Sequence, residues 1–221
     1  MALYAIGDVH GCARTLDALL ARLALTPDDH VVFVGDYVDR GPDSRGVLDR
    51  LLVLDDGAWT GAGPICTFLR GNHDQMMVDY VAGRSDGDLW FANGGGATLA
   101  SYPDGKVPEA HAQFLAQTAL LYETPAFAFV HAGLDPRVSV ETNLRRADPE
   151  VLLWTRDHLG ASLAAWEKPV VCGHTPVAEP INLPELIGID TGAVFAARPG
   201  LGRLTAVRLP ERVFTSVNYC G

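Results

Sequence analysis

Five short runs of β-forming residues each end directly in a compact polar motif. The motifs are GDVHG at 7–11, GDYVDRG at 35–41, RGNHD at 70–74, HAG at 131–133 and GHT at 173–175. Apolar residues at helical spacing follow the first three motifs, and alternating strands and helices form sheets whose parallel strands end at one edge. This pattern limits the chain to an α/β fold in which distant polar side chains converge at that edge.

The periodicity also predicts the individual elements. Strands before the motifs are predicted over Leu3–Ile6, His30–Val34, Ile65–Leu69, Ala126–Val130 and Pro169–Cys172. Helices are predicted around Leu16 to Leu23, after a capping Ser44, and from Gln75 to about Val81. Three late strands, Leu186–Ile189, Leu204–Leu209 and Val213–Val217, are joined by short turns as in an antiparallel sheet. We therefore expect two sheets packed face to face with helices outside.

Stretches rich in Gly, Pro, Asp and Asn separate these elements. They span residues 57–64, 83–88, 93–108 and 135–149. Such composition predicts loops, and we expect these loops to face the substrate. The tryptophans near them, Trp90, Trp154 and Trp166, are expected to be packing residues, with Trp154 also placed to support Arg156.

Size and charge narrow the classes of protein that remain. The 221 residues, 48% hydrophobic and 20% charged, suit a single catalytic domain over residues 1–221. The net charge of −10 without a Lys/Arg cluster argues against a nucleic-acid partner, because binding nucleic acid requires many basic groups. Four widely spaced cysteines predict reduced thiols. No signal-peptide pattern and no apolar run of roughly 20 residues is present, so we expect a cytoplasmic protein without a membrane partner.

The motifs contain enough donors for two metal ions. Six residues offer carboxylate, amide or imidazole groups: Asp8, His10, Asp36, Asn72, His131 and His174. Oxygen and nitrogen donors without sulfur suit Mn²⁺, Fe or Zn²⁺. Six ligands exceed what one catalytic ion with open positions can use, so Asp36 is predicted to bridge two ions. Such a pair acidifies a shared water and orients it for direct attack on phosphorus.

Three neighbouring residues complete a hydrolytic mechanism. His73 is the natural general acid for the leaving oxygen, and Asp39 could orient it. Arg40 carries a guanidinium group whose geometry suits phosphate. The alternative for Arg40 is an ion pair with an acidic neighbour, and for Arg156 an ion pair with Asp157 or Glu150.

Together and in this order, the five motifs resemble the phosphoprotein-phosphatase branch of the calcineurin-like metallophosphoesterases. The resemblance extends from Gly7 to Thr175 and implies the same six metal ligands, the His73–Asp39 acid dyad and a phosphate-binding role for Arg40. The LLWTRD segment from Leu152 resembles an element of compact bacterial and phage lambda-type phosphatases, which implies a second phosphate-binding residue at Arg156. NHDQMM, LWFANGG and IDTGAVF resemble the same subgroup.

The resemblance implies a four-layer α/β/β/α sandwich of two mixed sheets. It also implies Mn²⁺-stimulated hydrolysis of phosphoserine, phosphothreonine and sometimes phosphotyrosine esters by a hydroxide that bridges the metals. Two departures from the eukaryotic pattern, HAG for HGG and Asp74 where Glu is common, are both found among the bacterial enzymes.

Other functions remain open at this point. A sister family with similar motifs hydrolyses diadenosine tetraphosphate symmetrically, but its pattern has Ala where this chain has Asp39. A related nuclease would lack the DRG element and is disfavoured by the acidic charge. A non-catalytic metal-binding module would not need the acid dyad. The expected partners are therefore phosphoprotein, small phosphoester or nucleotide substrates.

Overall fold

A computed structural model describes residues 1–60 and 62–221. The elements follow along the chain as β1 (Leu3–Ile6), α1 (Ala13–Leu23), β2 (His30–Phe33), α2 (Ser44–Thr60), β3 (Ile65–Phe68), α3 (Asn72–Val81), α4 (Asp88–Ala92), α5 (Gly95–Ala100), α6 (Glu109–Gln117), β4 (Leu121–Glu123), β5 (Ala128–Val130), α7 (Val140–Arg146), α8 (Pro149–Trp154), β6 (Val170–Cys172), β7 (Ile181–Asn182), β8 (Leu186–Gly188), β9 (Arg203–Leu209) and β10 (Val213–Asn218). A single 3₁₀ turn, Ala193–Phe195, lies between β8 and β9.

The strands form two mixed sheets of five strands each. In the first sheet the order is β10-β9-β1-β2-β3, with β1, β2 and β3 parallel, β9 antiparallel to β1, and β10 antiparallel to β9. In the second sheet the order is β4-β5-β6-β8-β7, with β5, β6 and β8 parallel and antiparallel strands at both edges. The carboxyl ends of the parallel strands in each sheet thus meet at one edge, as the motif pattern predicts.

Alternating side chains along the strands fill three separate cores. Ile6 and Phe33 pack under the helices that cover the first sheet. Val32 and Phe129 face each other across the space between the sheets. Val170 packs on the far face of the second sheet, where α7 and α8 cover it. The two-residue period of a strand places successive side chains on opposite faces, so these cores correspond to a helix–sheet–sheet–helix sandwich. The predicted four-layer fold is confirmed.

One late strand lies in a different sheet from the one predicted. The hairpin of β9 and β10 is antiparallel as expected, but β8 belongs to the second sheet and runs parallel to β6. Leu186 is buried on the outer face of that sheet and Ile187 on the inner face. A strand buried on both faces suits an interior parallel position, and turn spacing alone does not reveal this. The short strands β4 and β7 were not predicted.

Three of the predicted loops contain helices. The stretch 57–64 is helical up to Thr60, and its residue 61 lies outside the described residues. The stretch 93–108 contains α5, and the stretch 135–149 contains α7. Composition favoured loops, but tertiary burial of Thr98 in α5 and capping of α7 by Ser139 stabilise helices there.

Two helix starts also differ from prediction. Helix α3 begins at Asn72, three residues before Gln75. Ser44 is the first residue of α2, but its hydroxyl accepts the N–H of Asp39 rather than a helix N–H. Both starts are thereby tied to the motif residues, because Asn72 itself opens α3 and Ser44 binds the backbone of Asp39.

No helix in the described ranges combines the length and apolar character needed to cross a bilayer. All four cysteines are unpaired.

Candidate metal centre and active site

The predicted metal ligands are buried at the carboxyl ends of five parallel strands. The first sheet supplies those that follow β1, β2 and β3, and the second sheet supplies those that follow β5 and β6. In chain order they are Asp8, His10, Asp36, Asn72, His131 and His174. Residues up to 166 positions apart thus lie side by side, as shown by the N–H of His174, which donates to the carboxylate of Asp8.

The backbone at these turns adopts an uncommon conformation. Eight non-glycine residues of the described chain have positive φ, and five of them are predicted site residues: His10 (44°), Asp36 (51°), Asp39 (75°), Arg40 (67°) and His174 (66°). Left-handed backbone costs free energy in residues with a Cβ and is concentrated at functional sites in proteins. The sharp reversals of the chain aim these side chains at a common point.

Three side-chain donors converge on the side of the second sheet. Oδ1 of Asn72 lies 3.0 Å from Nε2 of His131 and 2.9 Å from Nδ1 of His174, and the two imidazole nitrogens are 3.2 Å apart. Nδ1 of His131 lies 2.9 Å from the carbonyl of Val34, so this nitrogen carries the proton and Nε2 presents a lone pair. Oxygen and nitrogen atoms gathered in this way fit a divalent cation.

A second group of donors lies on the side of the first sheet. Nδ1 of His10 lies 2.8 Å from the carbonyl of Val38, which leaves its Nε2 as an acceptor facing the site. Oδ2 of Asp36 is 3.5 Å from that nitrogen and 3.4 Å from Nε2 of His131. Asp36 therefore belongs to both groups of potential ligands, one with His10 and His73 and one with His131 and His174.

Asp8 is oriented differently from the other predicted ligands. Its carboxylate accepts the backbone N–H of His174 at 3.0 and 3.2 Å. It is absent from the two groups of described residues whose ligand atoms lie within 4.8 Å of one another, where His73 stands beside His10 and Asp36. Burial, followed by the charges of Asp190 and Asp36, raises the pKa of Asp8 well above its usual range.

Two of the three histidine ligands, His10 and His174, are held in their neutral form. Burial lowers the pKa of His10 to about 3, and burial followed by the neighbouring His131 lowers that of His174 to about 3. Burial alone would raise the pKa of Asp36, but the imidazoles of His131 and His73 hold it well below its usual range. Neutral imidazole and ionised carboxylate are the forms that bind metals. His10, His174 and Asp36 are therefore in the forms that bind cations, whereas the charge of Asp36 raises the pKa of His131 against the effect of its burial.

His73 and Asp39 form a buried pair. Nδ1 of His73 lies 2.6 Å from Oδ2 of Asp39. Asp39 also accepts the indole N–H of Trp90 at 2.8 Å and the hydroxyl of Thr98 at 2.8 Å. The ring of His73 stands edge-on to that of His10 at 4.8 Å. With Nδ1 held by Asp39, Nε2 of His73 is the nitrogen left to exchange a proton with a bound substrate.

Trp90 therefore has a polar role in addition to the packing role predicted for it. We expect Trp90→Phe to lower kcat for a phosphoserine peptide about three- to ten-fold, because Asp39 loses one donor that fixes its orientation. Trp166→Phe is the matched control, since the indole of Trp166 donates to the carbonyl of Asp135 outside the site. Steady-state kinetics of both variants test this; an equal effect of the two substitutions would contradict a positioning role for Trp90.

Asp74 joins the second and third motifs. Its carboxylate accepts three backbone N–H groups, from Asp36 at 2.8 Å, Tyr37 at 2.9 Å and Gly71 at 2.8 Å. A Cβ on Gly71 would collide with Asp36, so glycine is required where the two turns meet. Asp74 acts through the backbone of Asp36 and so fixes the carboxylate that both ligand groups share.

Neither of the two predicted phosphate-binding arginines forms an ion pair with a carboxylate in the described residues. Nη1 of Arg40 lies 2.7 Å from Nε2 of His10. The positive charge of Arg156 contributes to the lowered pKa of His174. Across residues 1–60 and 62–221, no carboxylate oxygen lies within 4.0 Å of either guanidinium group, so the alternative ion pairs do not form. Trp154 lies edge-on to the ring of His174 at 6.3 Å.

The IDTGAVF segment contributes two residues to which the sequence assigned no role. Asp190 is buried beside the site, and burial raises its pKa to about 6. Its carboxylate accepts the N–H of Gly192 at 2.8 Å. The ring of Phe195 lies 5.4 Å from the guanidinium carbon of Arg40. The only signal for these residues in the sequence was the resemblance of the segment itself.

Comparison with known proteins agrees with this geometry. A family model described as calcineurin-like phosphoesterase matches residues 1–195 of the chain. The chain belongs to the calcineurin-like phosphoesterase family. The predicted family is thereby confirmed, and because the family is dinuclear-metal dependent, the two ligand groups that share Asp36 are the candidate sites for its ions in this phosphoesterase.

Curated relatives of this calcineurin-like phosphoesterase have two different names. Serine/threonine-protein phosphatase 1 of Salmonella typhimurium is 32% identical over 213 residues, which cover 91% of this chain and 91% of the relative. A bis(5'-nucleosyl)-tetraphosphatase PrpE [asymmetrical] of Geobacillus thermodenitrificans is 30% identical over 248 residues, which cover 96% of this chain and 92% of the relative. Both are full-length similarities to the phosphoesterase, so sequence identity alone does not choose between their activities.

Solved structures give the same division. A crystal structure provisionally assigned as a diadenosine tetraphosphatase matches the phosphoesterase with a TM-score of 0.72 and 25% identity, covering 100% of this chain and 94% of that one. A cold-active protein tyrosine phosphatase matches with a TM-score of 0.63 and 16% identity, covering 97% and 78% of the two chains. The second similarity concerns the fold alone.

Proposed function

We propose that this phosphoesterase hydrolyses phosphoserine and phosphothreonine esters, with phosphotyrosine esters as a further substrate. The observation that carries the proposal is the 2.6 Å contact between His73 and Asp39, with Trp90 and Thr98 fixing Asp39 from behind. An alkoxide is a poor leaving group and needs a proton as the ester bond breaks. A buried imidazole held by a carboxylate supplies that proton.

The proposed metal ligands are Asp8, His10, Asp36, Asn72, His131 and His174, with Mn²⁺ as the favoured ion and Fe or Zn²⁺ as alternatives. Two divalent ions bound there would acidify water for direct attack and stabilise charge on the phosphoryl oxygens. Nε2 of His73 protonates the leaving oxygen while Asp39 keeps the ring oriented. Arg40 and Arg156 hold phosphoryl oxygens through paired N–H groups and so align phosphorus for in-line displacement.

A second candidate function is hydrolysis of a dinucleoside tetraphosphate. The PrpE relative and the structural match to a diadenosine tetraphosphatase favour it. The alternative derived from sequence was symmetrical cleavage, whereas the PrpE relative is named asymmetrical. An anhydride bond releases a stabilised phosphate and depends less on protonation by His73. The His73–Asp39 dyad therefore favours esters, whereas the PrpE relative favours nucleotides.

The remaining features of the proposal follow from the chain as a whole. Residues 1–221 act as one catalytic domain in the cytoplasm of a bacterium. Its partners are phosphoproteins, small phosphoesters or nucleotides rather than nucleic acids or membranes.

A direct comparison of substrates tests the proposal. Metal-stripped protein is reloaded with Mn²⁺ and given a phosphoserine peptide, an aryl phosphate and diadenosine tetraphosphate at equal concentrations. We expect the phosphopeptide to have a higher kcat/KM than the dinucleotide. The reverse order would select the second candidate, and chromatography of its products would then distinguish symmetrical from asymmetrical cleavage.

A further inference from the structure

Two arginines share one aromatic ring beside the metal centre. The guanidinium carbon of Arg40 lies 5.4 Å from the centre of the Phe195 ring, and that of Arg198 lies 4.3 Å from it. Both distances fall within the range of a cation–π contact. Phe195 thus contacts both Arg198 and the residue proposed to bind the reacting phosphoryl group.

Hydrogen bonds along the backbone fix this arrangement. Gly192 donates to the buried carboxylate of Asp190 at 2.8 Å, and Phe195 donates to the carbonyl of Gly192 at 2.8 Å. Arg198 in turn donates its N–H to the carbonyl of Phe195 at 2.8 Å. A continuous series of turns therefore connects Arg198 to the end of β8, which lies at the same sheet edge as the metal centre.

Neither arginine forms an ion pair within the described chain, although the charge of Arg40 acts on the buried carboxylates of Asp8 and Asp190. Residues 1–60 and 62–221 offer no carboxylate oxygen within 4.0 Å of the Arg198 or Arg40 guanidinium groups. Both side chains are also exposed, so a ligand that enters from solvent can meet either guanidinium group. The two arginines therefore offer charge-assisted contacts to a ligand with more negative charge than one phosphoryl group.

We propose that Arg198 binds the phosphoryl group adjacent to the reacting one in a phosphoanhydride substrate. Adjacent phosphoryl groups share one bridging oxygen, so a chain held at its end by Arg40 presents its next group to a neighbouring guanidinium. Arg198 extends the ester site into a site that also accepts nucleoside polyphosphates. The inference rests on the proposed binding of the reacting phosphoryl group by Arg40 and the metal centre.

The experiment compares ADP with AMP, which differ by one phosphoryl group. Inhibition constants against aryl phosphate hydrolysis are measured at fixed free Mn²⁺, and dissociation constants are measured by calorimetry. In the unmodified protein ADP binds more tightly than AMP. Arg198→Ala lowers this ratio about five- to ten-fold, because one charge-assisted contact is lost. Arg198→Lys restores part of the preference for ADP, because lysine retains the positive charge but lacks the paired N–H groups of a guanidinium.

Arg22→Ala is the matched control, since Arg22 is an exposed arginine in the last turn of α1, at the helix end far from GDVHG. An unchanged ADP-to-AMP ratio in Arg198→Ala, or an equal fall in Arg22→Ala, would overturn the inference. The result is separate from the proposed function, because the ratio does not depend on whether phosphopeptide or dinucleotide is the better substrate.

Discussion

Asp36→Asn is expected to remove bound metal and activity together. The same oxygen of Asp36 lies 3.5 Å from Nε2 of His10 and 3.4 Å from Nε2 of His131, so one carboxylate serves both ligand groups. An amide lacks the negative charge that two cations share. Because the metal pair provides several kcal/mol of transition-state stabilisation, kcat should fall at least about 10³-fold. Elemental analysis gives metal per chain, and phosphopeptide turnover gives activity.

Asp17→Asn is the matched control for that substitution. Asp17 is an exposed carboxylate on α1 that pairs with Arg50 at 2.7 Å, away from the site. This control should keep full metal content and activity. Two ions per chain in Asp36→Asn would rule out Asp36 as the shared ligand.

His73→Asn is expected to discriminate between leaving groups. Hydrolysis of a phosphoserine peptide should slow by roughly 10²–10⁴-fold, the usual contribution of a positioned general acid. An aryl phosphate with an acidic leaving group should lose far less, because its oxygen departs without a proton. The measurement is kcat for both substrates at saturating concentration and fixed free Mn²⁺.

His30→Asn is the control for His73, since His30 lies at the start of β2 and bonds Thr67 at 2.9 Å, at the opposite end of the strand from the site. It should leave both rates unchanged. Equal losses for peptide and aryl phosphate in His73→Asn would contradict leaving-group protonation and point to a structural role.

The sequence could predict those site residues whose positions are determined by the carboxyl ends of the parallel strands. Asp8, Asp36 and His131 each follow a short apolar run, and parallel strands bring such positions to one edge whatever the loops do. The side-chain types then limited the chemistry to mixed oxygen and nitrogen ligation. The family and the four-layer fold followed from the same motifs.

The unpredicted features depend on contacts between segments distant in sequence. The two side chains that donate to Asp39, Trp90 and Thr98, lie 51 and 59 residues further along the chain. The segment that forms α5 was predicted as a loop from its composition, whereas burial stabilises it as a helix. The orientation of Asp8 toward His174 depends on a turn in the other sheet. Local propensity contains no information about such partners.

The left-handed turns were also beyond sequence reasoning. Asp36 and His174 have positive φ although neither is glycine. Their conformation is imposed by neighbours, as the three backbone N–H groups gathered by Asp74 around Asp36 illustrate.

The candidate ligands are divided between two sheets whose contact is made by apolar side chains such as Val32 and Phe129. Metal coordination tolerates little change in distance, and a close-packed apolar interface transmits even a small change in side-chain volume to the backbone around it. Catalytic activity therefore depends on the relative position of the two sheets. Mild heating, or a conservative substitution among these apolar residues, would therefore abolish turnover while the helices and strands were still folded. Activity would be lost at a lower temperature than the unfolding transition.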